Sequence, residues 1–146
     1  MPEEPDNVVQ PFMHQQMALV ASDKYVARHG MPKGEADLKN HFFVTHDSDK
    51  NRAPFTRWLR EVVDENRFTY RATDNRNMQD AITAGAGIGF VLAQEVESNP
   101  ELTEVVPRHE DWSAPLWIVT HVDLHRTTKV QAFLRFLKDR IKTLEC

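Results

Sequence analysis

A chain of 146 residues has room for one ordinary domain and can bury roughly two thirds of the surface its unfolded form exposes. Hydrophobic residues at 40% and charged residues at 27% fall within the globular range, and no segment has the length or apolarity of a membrane span. The net charge of −4 comes from 18 Lys plus Arg against 22 Asp plus Glu, scattered along the chain; this lacks the clustered basic footprint with which proteins hold nucleic acid.

The opening "MPEEPDNVVQPF" has acidic residues and prolines where an export signal needs a basic start and an apolar run, so a cytoplasmic protein is expected. The one cysteine, Cys146, is the last residue, so no disulfide can close within the chain. "NVVQPF" and "MALVAS" read as two short strands. Ser22 then caps a helix, "DKYVARH", which Gly30 and Pro32 end. "EADLKN" supplies a further helical turn or two, and "HFFVT" is a strand.

A polar stretch, "HDSDKNRA", leads into a helix from Pro54 to about Val63, with Phe55, Trp58, Leu59 and Val62 at helical spacing. "RFTYRAT" alternates at strand period and places Phe68, Tyr70 and Ala72 on one side. Asn75 or Asn77 caps the helix "MQDAITA". "IGFVL" reads as a strand buried on both faces, "AQEVES" as a short helix, and "TEVVP" and "APLWIVTHV" as strands. A last helix from about Thr128 to Lys142 carries Val130, Phe133, Leu134, Leu137 and Ile141 along one stripe. Alternating strands and helices argue for an α/β fold with a largely parallel sheet.

Between the helix "MQDAITA" and the strand "IGFVL" lie Gly85, Gly87 and Gly89, two apart. A phosphate loop needs its glycines after a strand and before a helix, so that free amides and the positive helix end face the anion. Here the order is reversed, and the negative end of the helix meets the loop. Gly85 fits the left-handed position past the helix, while Gly87 and Gly89 allow close approach of helix and strand. His121 and His125 are four apart but straddle a strand end and a loop, so they do not share a helical face as zinc-binding histidines do. "GAGIG" offers no serine nucleophile and Cys146 is terminal, so no catalytic constellation is present and no enzyme, cofactor or metal is expected.

In open α/β sheets, ligands sit at the carboxyl ends of strands. Three such ends are readable. Thr45, His46 and Asp47 follow "HFFV"; Thr73, Asp74 and Asn75 follow "FTYRA"; Ala93 and Gln94 follow "IGFVL". Thr45 and Asn75 are equally readable as helix caps, His46 as an exposed loop residue, and Asp123 as a cap for the last helix. Asp47, Asp49 and Asp74 disfavour an anion there unless Lys50 or Arg52 offsets them.

Three stretches taken together, "LVASDKYVARHGMPKGEADLKNHFFV", "MQDAITAGAGIGFVLAQEV" and "PLWIVTHVDLHRTTKVQAFLRFLKDRI", resemble successive signatures of the effector-binding domain of LysR-type transcriptional regulators. The resemblance covers nearly the whole chain and implies the type II periplasmic-binding-protein-like fold, two α/β subdomains with a small-molecule cleft between them. It implies subdomain two at residues 21–119, with residues 1–20 and the crossover and C-terminal helix at 120–146 as parts of subdomain one. The family's winged helix-turn-helix and the first half of subdomain one are expected to be missing, so DNA would be reached only through a domain outside this chain.

The resemblance points to the same three loops as one wall of the cleft. Family effectors are commonly small organic acids, and Ala93 stands where the family often has proline. The apolar stripe of the last helix, with the first strand, is expected to be covered by another copy of the chain, as a homodimer or higher oligomer. Five large side chains left bare would forfeit roughly 1.5 to 3 kcal/mol each. The competing expectation is a stand-alone protein that binds a small molecule, or dimerises with intact regulators, without binding DNA.

Overall fold

The computed structural model describes residues 4–47 and 53–144, so Asp49, Lys50, Arg52 and Cys146 lie outside the described residues. In chain order the elements are β1 (Asn7–Ser22), α1 (Asp23–His29), a 3-10 turn (Glu35–Asn40), β2 (Phe43–His46), α2 (Pro54–Val62), a second 3-10 turn (Glu65–Arg67), β3 (Phe68–Ala72), α3 (Asn75–Thr83), β4 (Gly89–Leu92), α4 (Ala93–Ser98), β5 (Leu102–Glu104), β6 (Ser113–His121), α5 (Val122–His125) and α6 (Thr128–Leu144). The chain divides into two compact units, one of residues 1–15 with 115–146 and the other of Gln16–Ala114.

In the Gln16–Ala114 unit, β1 is the organising strand. It lies between β4 and β5, antiparallel to both, with Met17 opposite Leu92 and Val20 opposite Glu104. Successive residues of a strand face opposite ways. Leu19 and Ala21 accordingly enter one core cluster, with Tyr25, Phe43, Leu59, Phe90 and Trp112, while Ala18 and Val20 enter another, with Val44, Ile82 and Val91. β2 and β3 pair in parallel, and Phe43 bridges to Ile88 in the same sense.

Three sequence expectations are corrected. The two short strands predicted before Ser22 are one strand of 16 residues, because Pro11 does not interrupt its extended backbone. The sheet is not largely parallel: β1 pairs with β4 and β5, which are not its neighbours in sequence, and helix–strand alternation does not fix the direction of such a pairing. Tyr70 does not share the buried side with Ala72 and is 39% exposed.

Local capping is as expected at α1. Ser22 accepts a hydrogen bond from the Tyr25 amide, and Gly30 ends the helix at φ +79°. The glycine loop also matches its sequence reading. Gly85 sits at φ +86°, and the amides of Gly85 and Ala86 donate back to the carbonyls of Ile82 and Ala81. A Cβ on Gly87 would lie 2.9 Å from the Phe43 carbonyl carbon, and one on Gly89 2.5 Å from Ile82 Cδ1. The loop's amides are thus spent on the helix end, and its glycines on close approach of helix to strand.

In the other unit, β6 pairs with β1, and Val122 donates its amide to the Asp6 carbonyl. Asp123 does not cap the last helix. It lies within α5, and Thr127 caps α6 instead, accepting from the Val130 amide. His121 is itself the cap of α5, while His125 meets Thr120 Oγ1 at 2.8 Å. Among the described residues no group of three His, Cys, Asp or Glu could hold a metal ion. Of the α6 stripe, Leu134 is buried and Val130, Leu137 and Ile141 are half-buried, but Phe133 is 59% exposed.

Candidate functional site

The three loops singled out in the sequence open on one edge of the Gln16–Ala114 unit. β2 sits between its neighbours, with His46 opposite Ala72 of β3 and Val44 donating its amide to the Ile88 carbonyl beside β4. Parallel pairing therefore aligns the carboxyl ends of all three strands. Two bonds hold the loops in place: the Asp47 amide donates to the Ala72 carbonyl at 2.9 Å, and Gln79 on α3 donates to Glu95 Oε2 on α4 at 2.9 Å.

The predicted residues divide by depth. Thr45 is 3% exposed and Ala93 is buried. His46 is half-buried; Asp47, Thr73, Asp74, Asn75 and Gln94 are exposed at the rim. Neither Asn75 nor Asn77 caps α3, as the sequence had suggested, because Asp74 takes that position. Its carboxylate accepts from the Asn77 amide at 2.8 Å and from Asn77 Nδ2 at 2.7 Å. A charged carboxylate complements the helix dipole better than a neutral amide, which decides the contest. The first turn of α3 is therefore already served by an internal anion, and Asp47 adds a second negative charge on the same edge.

This assignment has a measurable consequence. Asp74→Ala should lower stability by about 1 kcal/mol in urea unfolding, as loss of an N-cap does, and Asn75→Ala should change it by a few tenths at most.

Behind β2 lies a polar cluster that the sequence did not reveal, since Tyr25 stands 16 residues from His41. The Tyr25 hydroxyl, fully buried, accepts from the Phe42 amide at 3.1 Å and meets His41 Nδ1 at 2.7 Å. His41 Nε2 faces Asp37 Oδ2, 3.5 Å away, and in the tautomer that carries its proton on Nε2 the Nδ1 atom accepts from the Tyr25 hydroxyl. Burial pushes the Tyr25 hydroxyl above its ordinary pKa, and bonds from the Asn40 side chain and the Lys33 amide hold the Asp37 carboxyl below its own. The cluster fixes where β2 begins, and so where its carboxyl end delivers Thr45.

Comparison with known proteins places this geometry. The LysR substrate binding domain family matches residues 1–142. The probable HTH-type transcriptional regulator LtrA of Klebsiella pneumoniae is 25% identical over 143 residues, which are 92% of this chain and 46% of that protein. The chain thus spans about half the length of the regulator it matches. Among solved structures, the regulatory domain of CrgA, a LysR-type regulator from Neisseria meningitidis, superposes with a TM-score of 0.74 at 16% identity, covering 96% of this chain and 71% of that one. The CcmR regulatory domain of Synechocystis PCC6803, solved in complex with 2-PG, gives 0.65 at 18% identity, covering 95% and 69%. The mixed α/β architecture is that of LysR effector-binding domains, the type II periplasmic-binding-protein-like fold. The relatives are transcriptional regulators rather than enzymes, and no helix among the described residues is long and apolar enough to cross a membrane. With the family matched from residue 1 to residue 142, the chain belongs to the LysR substrate-binding domain family.

Proposed function

We propose that this chain is the effector-sensing part of a LysR-type regulator, binding a small organic molecule at the loops that follow β2, β3 and β4. The observation that carries this reading is the alignment of three parallel strand ends on one edge, with a buried threonine and alanine beside exposed polar side chains. In open α/β sheets this edge is where ligands gather. In this reading Thr45, His46 and Gln94 supply hydrogen bonds, Ala93 leaves room, and Asp47, Asp74 and Asn75 border the site. Residues 21–119 form the effector domain's second subdomain. The work done is binding: an effector that prefers one conformation shifts the population toward it, and DNA is engaged through a domain outside this chain.

The 2-PG bound by CcmR makes small organic acids the first class to test. Asp47, Asp74 and Glu95 place three carboxylates at these loops among the described residues, so an acid ligand needs cations to offset them. Lys50 and Arg52 are the nearest in sequence to Asp47, and Arg76, exposed in the first turn of α3, is the nearest to Asp74.

The test is thermal unfolding of the chain against a panel of small organic acids that includes 2-PG. A true effector at 100 times its Kd stabilises by about 2.7 kcal/mol, and the gain should vanish when Thr45, His46 and Asp47 are all replaced by alanine. Stabilisation that survives unchanged in that variant would place the ligand elsewhere and refute these loops as the site.

A further inference from the structure

Of the seven histidines, all within the described residues, only His41 is buried, at 7% exposure. Its two ring nitrogens face different elements: Nδ1 lies 2.7 Å from the Tyr25 hydroxyl on α1, and Nε2 lies 3.5 Å from Asp37 Oδ2 on the 3-10 turn before β2. A neutral ring sets its one proton toward the carboxylate, because the other tautomer would oppose a bare nitrogen to a negative oxygen. In that form the Tyr25 hydroxyl donates to Nδ1 and accepts from the Phe42 amide, so it is bonded on both sides.

A second proton on the ring breaks this pattern, because both nitrogens become donors. Nδ1 must then donate to the hydroxyl oxygen, and the hydroxyl's own proton loses its acceptor: among the described residues its hydrogen-bond partners are His41 and Phe42 alone. An orphaned donor is costly at a fully buried group. The charged ring is meanwhile drawn to Asp37, so protonation favours the turn and penalises the contact with Phe42. The other groups around the cluster are His29, whose ring is 4.8 Å from that of Tyr25, Asn40 and the Lys33 amide, which bond Asp37, and Arg67, whose guanidinium stands 5.5 Å from the Phe42 ring. Asp37, held below its ordinary range by Asn40 and the Lys33 amide, stays charged, and Tyr25, raised by burial, stays neutral, over the interval of about pH 5 to 8 in which imidazoles ordinarily titrate.

What happens at Phe42 is passed along β2. The Phe42 carbonyl accepts from the Ile88 amide at 2.9 Å, and the Val44 amide donates to the Ile88 carbonyl at 2.8 Å, so the strand is held to Ile88 on both sides of Phe43. Gly87 packs so closely on the Phe43 backbone that there is no room even for a Cβ. A shift at Phe42 therefore carries the short strand with it, and Thr45 is its third residue.

We propose that protonation of His41 turns the Tyr25 hydroxyl away from its bond to the ring, loosens the start of β2 and so displaces its carboxyl end, making His41 a pH-dependent brake on the loop that carries Thr45 and Asp47. That a ligand feels this brake rests on the effector reading of the loops; the movement of the loop does not.

Amide and imidazole magnetic resonance spectra of the full chain, recorded from about pH 8 down to about pH 5.5, test the movement. The expected result is that the Phe42, Val44, Thr45 and Asp47 amides shift together with the His41 ring, and still do so in His29→Gln and His46→Gln, which remove the neighbouring imidazoles. His41→Gln should abolish the response. Should that variant fold poorly, Tyr25→Phe decides alone: it keeps the buried ring and loses only the hydroxyl, so the His41 ring should still titrate while Val44, Thr45 and Asp47 no longer follow it. Amides that ignore His41 in the wild-type chain, or a response that persists in Tyr25→Phe, would overturn the proposal.

Thermal stabilisation by 2-PG then reads the site. Its association should weaken about fivefold or more between about pH 7.5 and about pH 5.5, the low end of coupling between linked sites, and by less in Tyr25→Phe, a comparison that cancels the titration of the ligand and of His46. Equal weakening in both chains would refute the brake on binding. Loop amides that respond while 2-PG stabilises at neither pH would uphold the brake and remove 2-PG from the effector reading.

Discussion

Replacing Trp112 with alanine should lower the unfolding free energy of the Gln16–Ala114 unit by about 3–5 kcal/mol, a large part of the 5–15 kcal/mol typical of a whole domain. The ring is 1% exposed and meets three aromatic partners: Phe90 edge-on at 4.9 Å, Trp58 at 4.8 Å and His109 stacked at 4.3 Å. Its removal costs transfer energy, leaves a cavity and dissolves these contacts together. The same residue's carbonyl accepts from the Met17 amide at 2.7 Å and from Gln16 Nε2 at 3.0 Å, which ties the segment before β6 to β1. Those backbone bonds survive the substitution, so Trp112→Phe should recover much of the loss. Urea unfolding followed by far-ultraviolet circular dichroism measures both variants. A loss under 1 kcal/mol for alanine would mean that the aromatic cluster adds little to the core.

Gly87→Ala should destabilise by about 3 kcal/mol, more than its single methyl suggests. The new Cβ would lie 2.9, 3.0 and 3.1 Å from the carbonyl carbon, Cα and nitrogen of Phe43. All three are backbone atoms of β2, which cannot swing away as a side chain could. Relief requires β2 to move, and β2 carries Thr45, so the substitution should also weaken effector binding. Gly30→Ala is the control. There a Cβ meets nothing within 4 Å, and only φ of +79° opposes it, at about 1 kcal/mol. Urea midpoints of the two variants compare them directly; equal losses would show that crowding at Gly87 costs no more than the backbone strain at Gly30.

What could be read from the sequence was local. Ser22 and Gly30 bracket α1 as expected because capping depends on a few neighbouring residues. Gly85 declares itself by its place just past a helix. The cap of α3 was misplaced by one residue, since Asp74, Asn75 and Asn77 are all good caps and only the actual turn decides among them. Long-range facts were less visible. β1 carries no mark of its antiparallel direction, and although Asp37 and His41 are four apart, nothing in the sequence brings Tyr25, 16 residues from His41, to them. The edge where the three loops gather was legible because strand order and parallel pairing alone bring those ends together. The burial of Thr45 beside the exposure of Asp47 was not, because it depends on how deep β2 sits between β3 and β4.

The position of β1 in the chain shapes how the protein must be made. The strand leaves the ribosome well before its partners, residues 89–92 and 102–104. Until those are synthesised, the apolar run Met17–Ala21 lacks the strands β4 and β5 that flank it in the folded sheet. Contacts this distant in sequence close slowly, and an unpaired apolar strand is the kind of segment that joins other nascent chains or is held by a chaperone. The strand that organises the finished core is, during synthesis, its most exposed liability.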